Sequence, residues 1–152
     1  MAGMDELTFE RSTLDDVELL LDLMNQLYEH DGQTFDRPHA RSATVQLIET
    51  PSAGRIWLLR SGGTTAGYIV LTFGFSIEFG GRDALVDELF LIPEYRGRGW
   101  GKRALAFAFE QCRAANVEAV HVDVNVVNQH ASSVYRAAGF VQPERRRMTK
   151  WL

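Results

Sequence analysis

The residues with the clearest capacity for chemistry form a glycine-rich run at 96–101, which reads Arg-Gly-Arg-Gly-Trp-Gly. An apolar segment that ends at Pro93 precedes the run, and a helical pattern follows it from Lys102. Glycine accepts positive φ and lets a ligand approach the main chain, and a helix that begins there presents unpaired N–H groups. We therefore predict that the main chain of 96–102 binds a diphosphate, with added charge from nearby arginine and lysine side chains.

Two other glycine motifs do not fit this run. A dinucleotide-binding motif would require glycine at 102, where Lys102 stands, and a nucleotide P-loop would require Ser or Thr at 103, where Arg103 stands. The pattern that remains is Arg-x-x-Gly-x-Gly, followed by Asn128, Ala131, Tyr135 and Gly139-Phe140. Together these two motifs resemble the GCN5-related N-acetyltransferase (GNAT) superfamily, and the resemblance covers residues 85–141.

The resemblance implies coenzyme A, carried as acetyl-CoA, as the cofactor. Its pyrophosphate would contact the amides of 96–102, and its pantetheine arm would pair like an added strand with the main chain near Leu91. Asn128 would also lie near the cofactor, although a helix N-cap alone would explain an asparagine there. The implied cofactor contacts are Leu89, Phe90, Leu91, Arg96, Gly97, Arg98, Gly99, Trp100, Gly101, Lys102, Asn128 and Tyr135.

Acid–base candidates lie on both sides of the glycine run. The spacing of Tyr135 resembles that of the family's general acid, which protonates the departing thiolate, although a packed tyrosine would also fit a helix face. An ammonium acceptor must lose a proton before it attacks, and Asp87 and Glu88 are the candidate bases. Regular alternation would place these two on opposite faces of their strand. Glu88 is favoured as the base for its longer side chain and because similar sequences often have Glu there. Asp87 remains the alternative base.

The acceptor is expected to be a small cationic amine, polyamine-like or aminoglycoside-like. Asp87-Glu88-Leu89-Phe90 has a looser resemblance to spermidine/spermine acetyltransferases. Acidic residues near aromatic ones suit a cation. Alternatives are a protein N-terminal or lysine acetyltransferase, or a domain that binds coenzyme A without catalysis. The expected substrate contacts are Tyr28, Glu29, Asp31, Phe75 and Glu78.

The elements that must position these residues follow the order βααβββαβαββ. We predict strands at 7–11, 55–60, 66–75, 84–92 and 119–124, helices at 17–27, 39–49, 104–115 and 129–138, and a final hairpin at 140–152. Thr13 and Asp16 look like a capping box that opens the first helix. The expected fold is α+β and GNAT-like. It has a mixed, mostly antiparallel sheet of six to seven strands with about four helices, splayed at the cofactor site.

Composition limits the remaining possibilities. The 152 residues, 45% of them hydrophobic, suit one N-acetyltransferase domain spanning 1–152. The net charge of −4 argues against nucleic-acid binding, and the lack of a long apolar run argues against a membrane segment. A single cysteine, Cys112, is consistent with a cytoplasmic protein. The four histidines show no metal-ligand spacing, so no metal is expected, and the final hairpin would allow a homodimer.

Overall fold

The protein is described by a computed structural model over residues 6–152. The strands and helices are, in chain order, β1 (Leu7–Arg11), α1 (Val17–His30), α2 (Arg37–Glu49), β2 (Gly54–Ser61), β3 (Thr64–Ser76), β4 (Gly81–Leu91), α3 (Trp100–Ala114), β5 (Ala119–Val122) and α4 (Gln129–Ala137). Single 3-10 turns precede α1, at Leu14–Asp16, and follow β4, at Pro93–Tyr95. The predicted α+β class and the element order up to α4 are confirmed.

The five strands form one sheet in the order β1-β2-β3-β4-β5. Neighbours are antiparallel from β1 to β4, and β5 pairs in parallel with β4. A parallel neighbour needs a crossover connection, and α3 supplies it. The sheet is therefore mixed and mostly antiparallel, as predicted.

Helices cover both faces of the sheet. Tyr68 and Val70 of β3 belong to a core that includes α1 and partly buried residues of α2. Ile69 and Leu71 of the same strand belong to the core on the opposite face, where α3 packs. This alternation follows from the two-residue period of a strand, and it makes β3 a central strand buried on both faces.

The helices α1 and α2 begin at polar caps. Thr13 and Asp16 form the predicted capping box, which closes the 3-10 turn immediately before α1. The Asp36 side chain caps α2 by accepting a hydrogen bond from the amide of His39 at 3.0 Å. Because proline is tolerated in a first helical turn, α2 includes Pro38 and begins at Arg37, earlier than the predicted start at 39.

The strands β4 and β5 separate where the cofactor was expected. Their pairing covers Asp83 to Val86 on β4, opposite Ala119 to Val122 on β5. β4 continues to Leu91 with β3 as its neighbour. The β5-facing edge of the second half of β4 is therefore open, and the predicted splay is confirmed.

A bulge interrupts β4 at Asp87. Glu88 lies opposite Val70 and Val86 lies opposite Leu71, so Asp87 is an extra residue with no partner position on β3. Val86 packs in the core on the α3 face, as do Leu89 and Leu91. An uninterrupted strand would have placed residues 86 and 89 on opposite faces, so the regular alternation predicted for this strand is wrong.

The predicted final hairpin is also wrong. No strand forms within 140–152, and the sheet has five strands instead of six to seven. Pro143 lacks an N–H for a ladder, and the like charges of Arg145, Arg146 and Arg147 oppose close strand packing. Arg145 instead pairs with Glu78 at the β3–β4 turn. The homodimer that the hairpin would have supported stays a prediction.

Across residues 6–152, each helix is too short or too polar to cross a bilayer.

Candidate active site

One cleft of about 660 Å³ brings most of the predicted site residues together. It lies where β4 and β5 diverge. Its walls come from four segments, namely the end of α1, the second half of β4, the glycine run with the start of α3, and a stretch from 123 to 135 that includes the start of α4.

The glycine run shapes the main chain at one end of this cleft. Gly97 and Gly99 both have a φ of 75°, a conformation that strains residues with a Cβ. A Cβ added at either position would meet no atom within 4 Å and would occupy open space. Gly99 is the N-cap of α3, and it has no side chain to accept a hydrogen bond from the first helix amides. The turn therefore offers an anion the helix amides and room to approach, which fits the diphosphate of coenzyme A.

The basic and aromatic side chains of the run have distinct positions. Arg96 and Lys102 line the cleft. The Nε of Arg96 donates to the Leu91 carbonyl at 2.9 Å, which fixes the turn to the end of β4. The Arg98 guanidinium lies over the rings of Tyr95 and Trp100, and its side chain is not part of the cleft wall.

The side chain of Trp100 is part of the core, and the residue lines the cleft at the start of α3. Its indole is 2% exposed in the core on the α3 face and stacks on Tyr95 at 5.3 Å. The start of α3 is thus anchored by packing, which holds its amides in place at the cleft. Cys112, later in the same helix, is buried as a core residue.

Leu89, Phe90 and Leu91 line the cleft along the open edge of β4. Leu89 and Leu91 pack toward α3, whereas Phe90 is buried on the α1 face. These side chains are core residues. Their contribution to a ligand would come from the main chain, as the resemblance implied.

Glu88 is held by two tyrosines. The Tyr68 hydroxyl donates to its Oε1 at 3.0 Å, and the Tyr28 hydroxyl donates to its Oε2 at 3.2 Å. Burial raises the pKa of Glu88 above its ordinary value, the charge of Asp87 adds to this, and the tyrosine hydrogen bonds act in the opposite direction. Burial and the Glu88 charge likewise raise the pKa of Tyr28 to about 12, so both tyrosines stay protonated donors.

Asp87 lines the same cleft as Glu88 because the bulge turns both residues toward it. Solvent still reaches Asp87, but the surrounding protein limits its hydration, and this burial together with the charge of Asp123 raises its pKa. Two adjacent carboxylates with raised pKa values are therefore available at one place in the cleft. The bulge thus removes the opposite-face placement that regular alternation predicted for Asp87 and Glu88.

Tyr135 and Asn128 approach from α4. Tyr135 lines the cleft, and its ring makes an edge contact with Phe140 at 5.7 Å. Burial and the charge of Asp31 raise the pKa of Tyr135, which keeps its hydroxyl protonated at neutral pH. Asn128 caps α4 by accepting from the Ala131 amide at 3.0 Å and also lines the cleft, so its N-cap role is observed and its contact with the cofactor stays a prediction.

The structure brings only part of the expected acceptor set together. Tyr28 contacts Glu88, and Asp31 lines the cleft. Glu29 is exposed on α1 and lies outside the cleft wall. Phe75, which is 77% exposed, and Glu78 lie at the β3–β4 turn, where Phe75 pairs with residue 82 far along β4 from the bulge.

Two contributors to the site were not anticipated. Tyr68 lies in an apolar stretch of β3, and only the strand register shows that it meets Glu88. Asp123, just beyond β5, acts on Asp87 from the other side of the splay. No local motif marks either residue. Within 6–152, no three His, Cys, Asp or Glu side chains converge as metal ligands would.

The cleft therefore has one basic end and one acidic end. Arg96 and Lys102 accompany the helix amides at one end, and Asp31, Asp87 and Asp123 accompany Glu88 at the other. Such an arrangement can bind an anion and a cation side by side. It also brings a protonated phenol and carboxylates with raised pKa values into one cleft, where they are available as a proton donor and as proton acceptors.

Comparison with known proteins agrees with this geometry. A family model described as the acetyltransferase (GNAT) family matches residues 21–140, more than half of the chain. A protein of Bacillus subtilis (strain 168) named "Putative ribosomal protein bS18-alanine N-acetyltransferase" is 26% identical over 124 residues, which cover 81% of this chain and 77% of the relative.

Solved structures share the fold over nearly the full chain. Integron cassette protein HFX_CASS3, from the mobile metagenome of Cole Harbour Salt Marsh, is 35% identical with a TM-score of 0.83, covering 95% of this chain and 90% of that one. The aminoglycoside N-acetyltransferase AAC(6')-Iy, solved in complex with CoA, is 16% identical with a TM-score of 0.80, covering 96% and 95%. This chain belongs to the GNAT family of acetyltransferases.

Proposed function

We propose that this protein transfers an acetyl group from acetyl-CoA to the primary amine of a small cationic molecule by direct attack. One observation carries the proposal: the Glu88 carboxylate and Tyr135 line the same cleft as the uncapped glycine turn. Anion recognition and proton transfer are thus combined in one space.

The glycine turn is the site for the cofactor. Acetyl-CoA, when bound, supplies an acyl group activated as a thioester. The amides at the start of α3 would hold its pyrophosphate, and Arg96 and Lys102 add positive charge beside them. The open main chain of Leu89 to Leu91 would hold the pantetheine arm and orient the acyl group toward the bulge.

Glu88 is the proposed base. A lysine-like amine is protonated at neutral pH and cannot attack until a proton leaves its nitrogen. A carboxylate with a raised pKa is better matched to that proton than an ordinary one. Tyr28 and Tyr68 fix its two oxygens, so the carboxylate is already oriented when the amine arrives.

Tyr135 is the proposed acid. As the nitrogen–carbon bond forms and the carbon–sulfur bond breaks, the sulfur gains negative charge, and the phenolic proton of Tyr135 can neutralise it. A phenol is a weaker acid than a thiol, by about 1.5 pKa units for the ordinary groups, so full transfer before bond breaking is uphill. The raised pKa of Tyr135 strengthens this argument for late transfer.

The acidic end of the cleft supports a cationic acceptor. Asp31, Asp87 and Asp123 line the same cleft as Glu88, the proposed base, and their charges would attract a cationic amine. A polyamine-like or aminoglycoside-like amine was expected from the sequence. The relative named for ribosomal protein alanine acetylation favours a second candidate, the amino terminus of a protein, whose lower pKa would demand less of Glu88.

A mass-spectrometric assay tests the proposal. The protein is incubated with acetyl-CoA and a panel of amines and short peptides, and coenzyme A binding is measured in parallel by calorimetry. Tyr135→Phe should lower turnover by about 10²-fold while coenzyme A affinity is kept. Tyr95→Phe is the matched control, because Tyr95 packs on Trp100 outside the cleft.

Three outcomes separate the alternatives. Tight coenzyme A binding with no acetylation of any amine or peptide would indicate a binding domain. Acetylation confined to peptides would indicate the second candidate. Equal turnover by wild type and Tyr135→Phe would remove the role assigned to Tyr135.

A further inference from the structure

A second cavity adjoins the cleft on the other side of the bulge. It has a volume of about 270 Å³ and lies between α1, α2 and the sheet. Asp87 and Glu88 line this cavity as well as the cofactor cleft. The two spaces therefore share one wall, and that wall carries the carboxylates that would receive the amine.

The remaining walls of the cavity are mainly apolar. Met24 comes from α1, Phe35 from the loop before α2, Leu47 from α2, and Ile56 and Val70 from the sheet. The rings of Tyr28 and Phe35 meet edge to face at 5.2 Å and form an aromatic corner next to Glu88. Such a surface favours an apolar or aromatic group.

Of the polar residues that line the cavity, Thr34, Asp36 and His39 are exposed, whereas Thr44 is buried. The Thr44 hydroxyl donates to the Ala40 carbonyl at 2.7 Å, and the Asp36 carboxylate accepts from the His39 amide at 3.0 Å. A second ammonium group inside the cavity would lose its water and face apolar side chains such as Met24 and Leu47. The carboxylates at the bulge can compensate one cationic nitrogen at the mouth of the cavity.

We infer that the acceptor is a primary amine with one cationic nitrogen and a compact apolar body, an arylalkyl or branched alkyl amine. Its nitrogen lies at Asp87 and Glu88, and its body occupies the cavity between α1 and α2. The inference rests on the proposed function and narrows its substrate class. It replaces the polyamine-like and aminoglycoside-like expectations, because neither class has a single charge and an apolar body.

The size of the cavity sets the size of that body. Small-molecule sites usually occupy about 300–1,000 Å³, and this cavity lies just below that range. One ring or a short branched chain fits such a volume. The several rings of an aminoglycoside do not.

Steady-state kinetics on the full chain test the inference. The panel contains 2-phenylethylamine, 3-methylbutylamine, spermidine, kanamycin and a short peptide that begins with alanine, each with acetyl-CoA. The first two should have kcat/KM values at least about tenfold above the others, the discrimination expected when an apolar pocket is filled. A higher value for spermidine, kanamycin or the peptide would overturn the inference and leave the proposed acetyl transfer intact.

A cavity-filling variant localises the effect. Ala43 lines the cavity and is exposed on α2, so Ala43→Leu reduces the space with little risk to folding. It should lower kcat/KM for 2-phenylethylamine by about tenfold and spare ethylamine, whose body needs no cavity. The matched control is Ala114→Leu, at an exposed alanine of α3 that lines neither space.

The outcomes distinguish this inference from the proposed function. If Ala43→Leu affects both amines equally, or neither, the body does not occupy this cavity. If no amine is acetylated although coenzyme A binds, the proposed function fails and the inference falls with it.

Discussion

The glycine turn and the bulge in β4 lie at opposite ends of one cleft and are built from different parts of the chain. In the proposed function, recognition at the turn comes from the main chain, through the positive φ angles of Gly97 and Gly99 and the start of α3, which has no side-chain cap from Gly99. At the bulge, side chains supply it, through Glu88 and the two tyrosines that hold it. The first end is made by neighbouring residues, and the second by residues 20 and 60 positions apart.

Because of this difference, the two ends of the cleft tolerate different kinds of substitution. A main-chain anion site tolerates little change, because its geometry depends on backbone angles that few residues adopt. A side-chain site can change its substrate through single substitutions on α1, α2 or β3 without disturbing the turn. We therefore expect variants at the two ends to affect different kinetic parameters.

The largest effect is expected for Glu88→Gln. Loss of the base should lower kcat/KM for the amine by about 10²–10⁴-fold and leave coenzyme A affinity unchanged.

The same variant also tests the stability contribution of Glu88. The pKa of Glu88 is raised in the folded protein, so this group favours folding at low pH and that contribution is lost as pH rises through the folded pKa. Thermal unfolding at pH 7 should therefore show a Gln variant at least as stable as the wild type.

Asp87→Asn is the comparison for this variant. It should cost less activity than Glu88→Gln, because within residues 6–152 the tyrosine hydroxyls at the bulge donate to Glu88 and no hydroxyl donates to the Asp87 carboxylate. A larger loss for Asp87→Asn would transfer the role of base to Asp87.

The next effect concerns the turn. Gly99→Ala should weaken coenzyme A binding by about 10- to 100-fold, because the methyl group enters open space beside the amides and the αL conformation costs about 1–2 kcal/mol. Gly63→Ala is a matched control: Gly63 has a φ of 84° and open space at its Cβ, but it lies in the β2–β3 turn. Calorimetry that showed equal losses for both variants would mean that strain alone explains the effect.

Sequence patterns predicted the features that neighbouring residues form, because the signals for such features are local. The glycine spacing, the capping box of Thr13 and Asp16, and the strand–turn–helix order each depend on residues close together in the chain. The Tyr135 and Asn128 positions followed from family spacing, and both line the cleft.

The bulge end could not be predicted in the same way. The residue types from 84 to 92 do not mark a bulge, and the extra residue at Asp87 appears only when β4 is paired with β3. Tyr68 reads as a core residue of an apolar strand until the register brings it to Glu88. Phe75 and Glu78 were expected near the acceptor because an acidic residue close to an aromatic one suits a cation, but the length of β3 and β4 carries them to the far turn.

A smaller effect is expected for Tyr68→Phe. The hydrogen bond from Tyr68 lowers the pKa of Glu88, so its loss should raise that pKa. A base must be deprotonated to act, and the acidic limb of the kcat/KM profile should therefore move to higher pH, with a loss of about tenfold at pH 7. Tyr28→Phe should move the limb in the same direction and by less, since its hydrogen bond is longer, at 3.2 Å against 3.0 Å. Profiles that coincide with the wild type would show that the tyrosines serve packing alone.

The smallest effects are expected at two matched helix caps, one at each end. Asn128 caps α4 beside the cofactor cleft, and Asp36 caps α2 beside the second cavity, each accepting from a helix amide at 3.0 Å. Either change to Ala should cost about 1 kcal/mol in the free energy of unfolding, measured by denaturant titration. Because the caps hold different walls, Asn128→Ala should raise the Kd for coenzyme A about two- to fivefold, whereas Asp36→Ala should raise KM for the amine by a similar factor. If both variants changed the same parameter, either the Kd for coenzyme A or the KM for the amine, the two ends would be coupled. Recognition by the main chain and recognition by side chains would then not be separate.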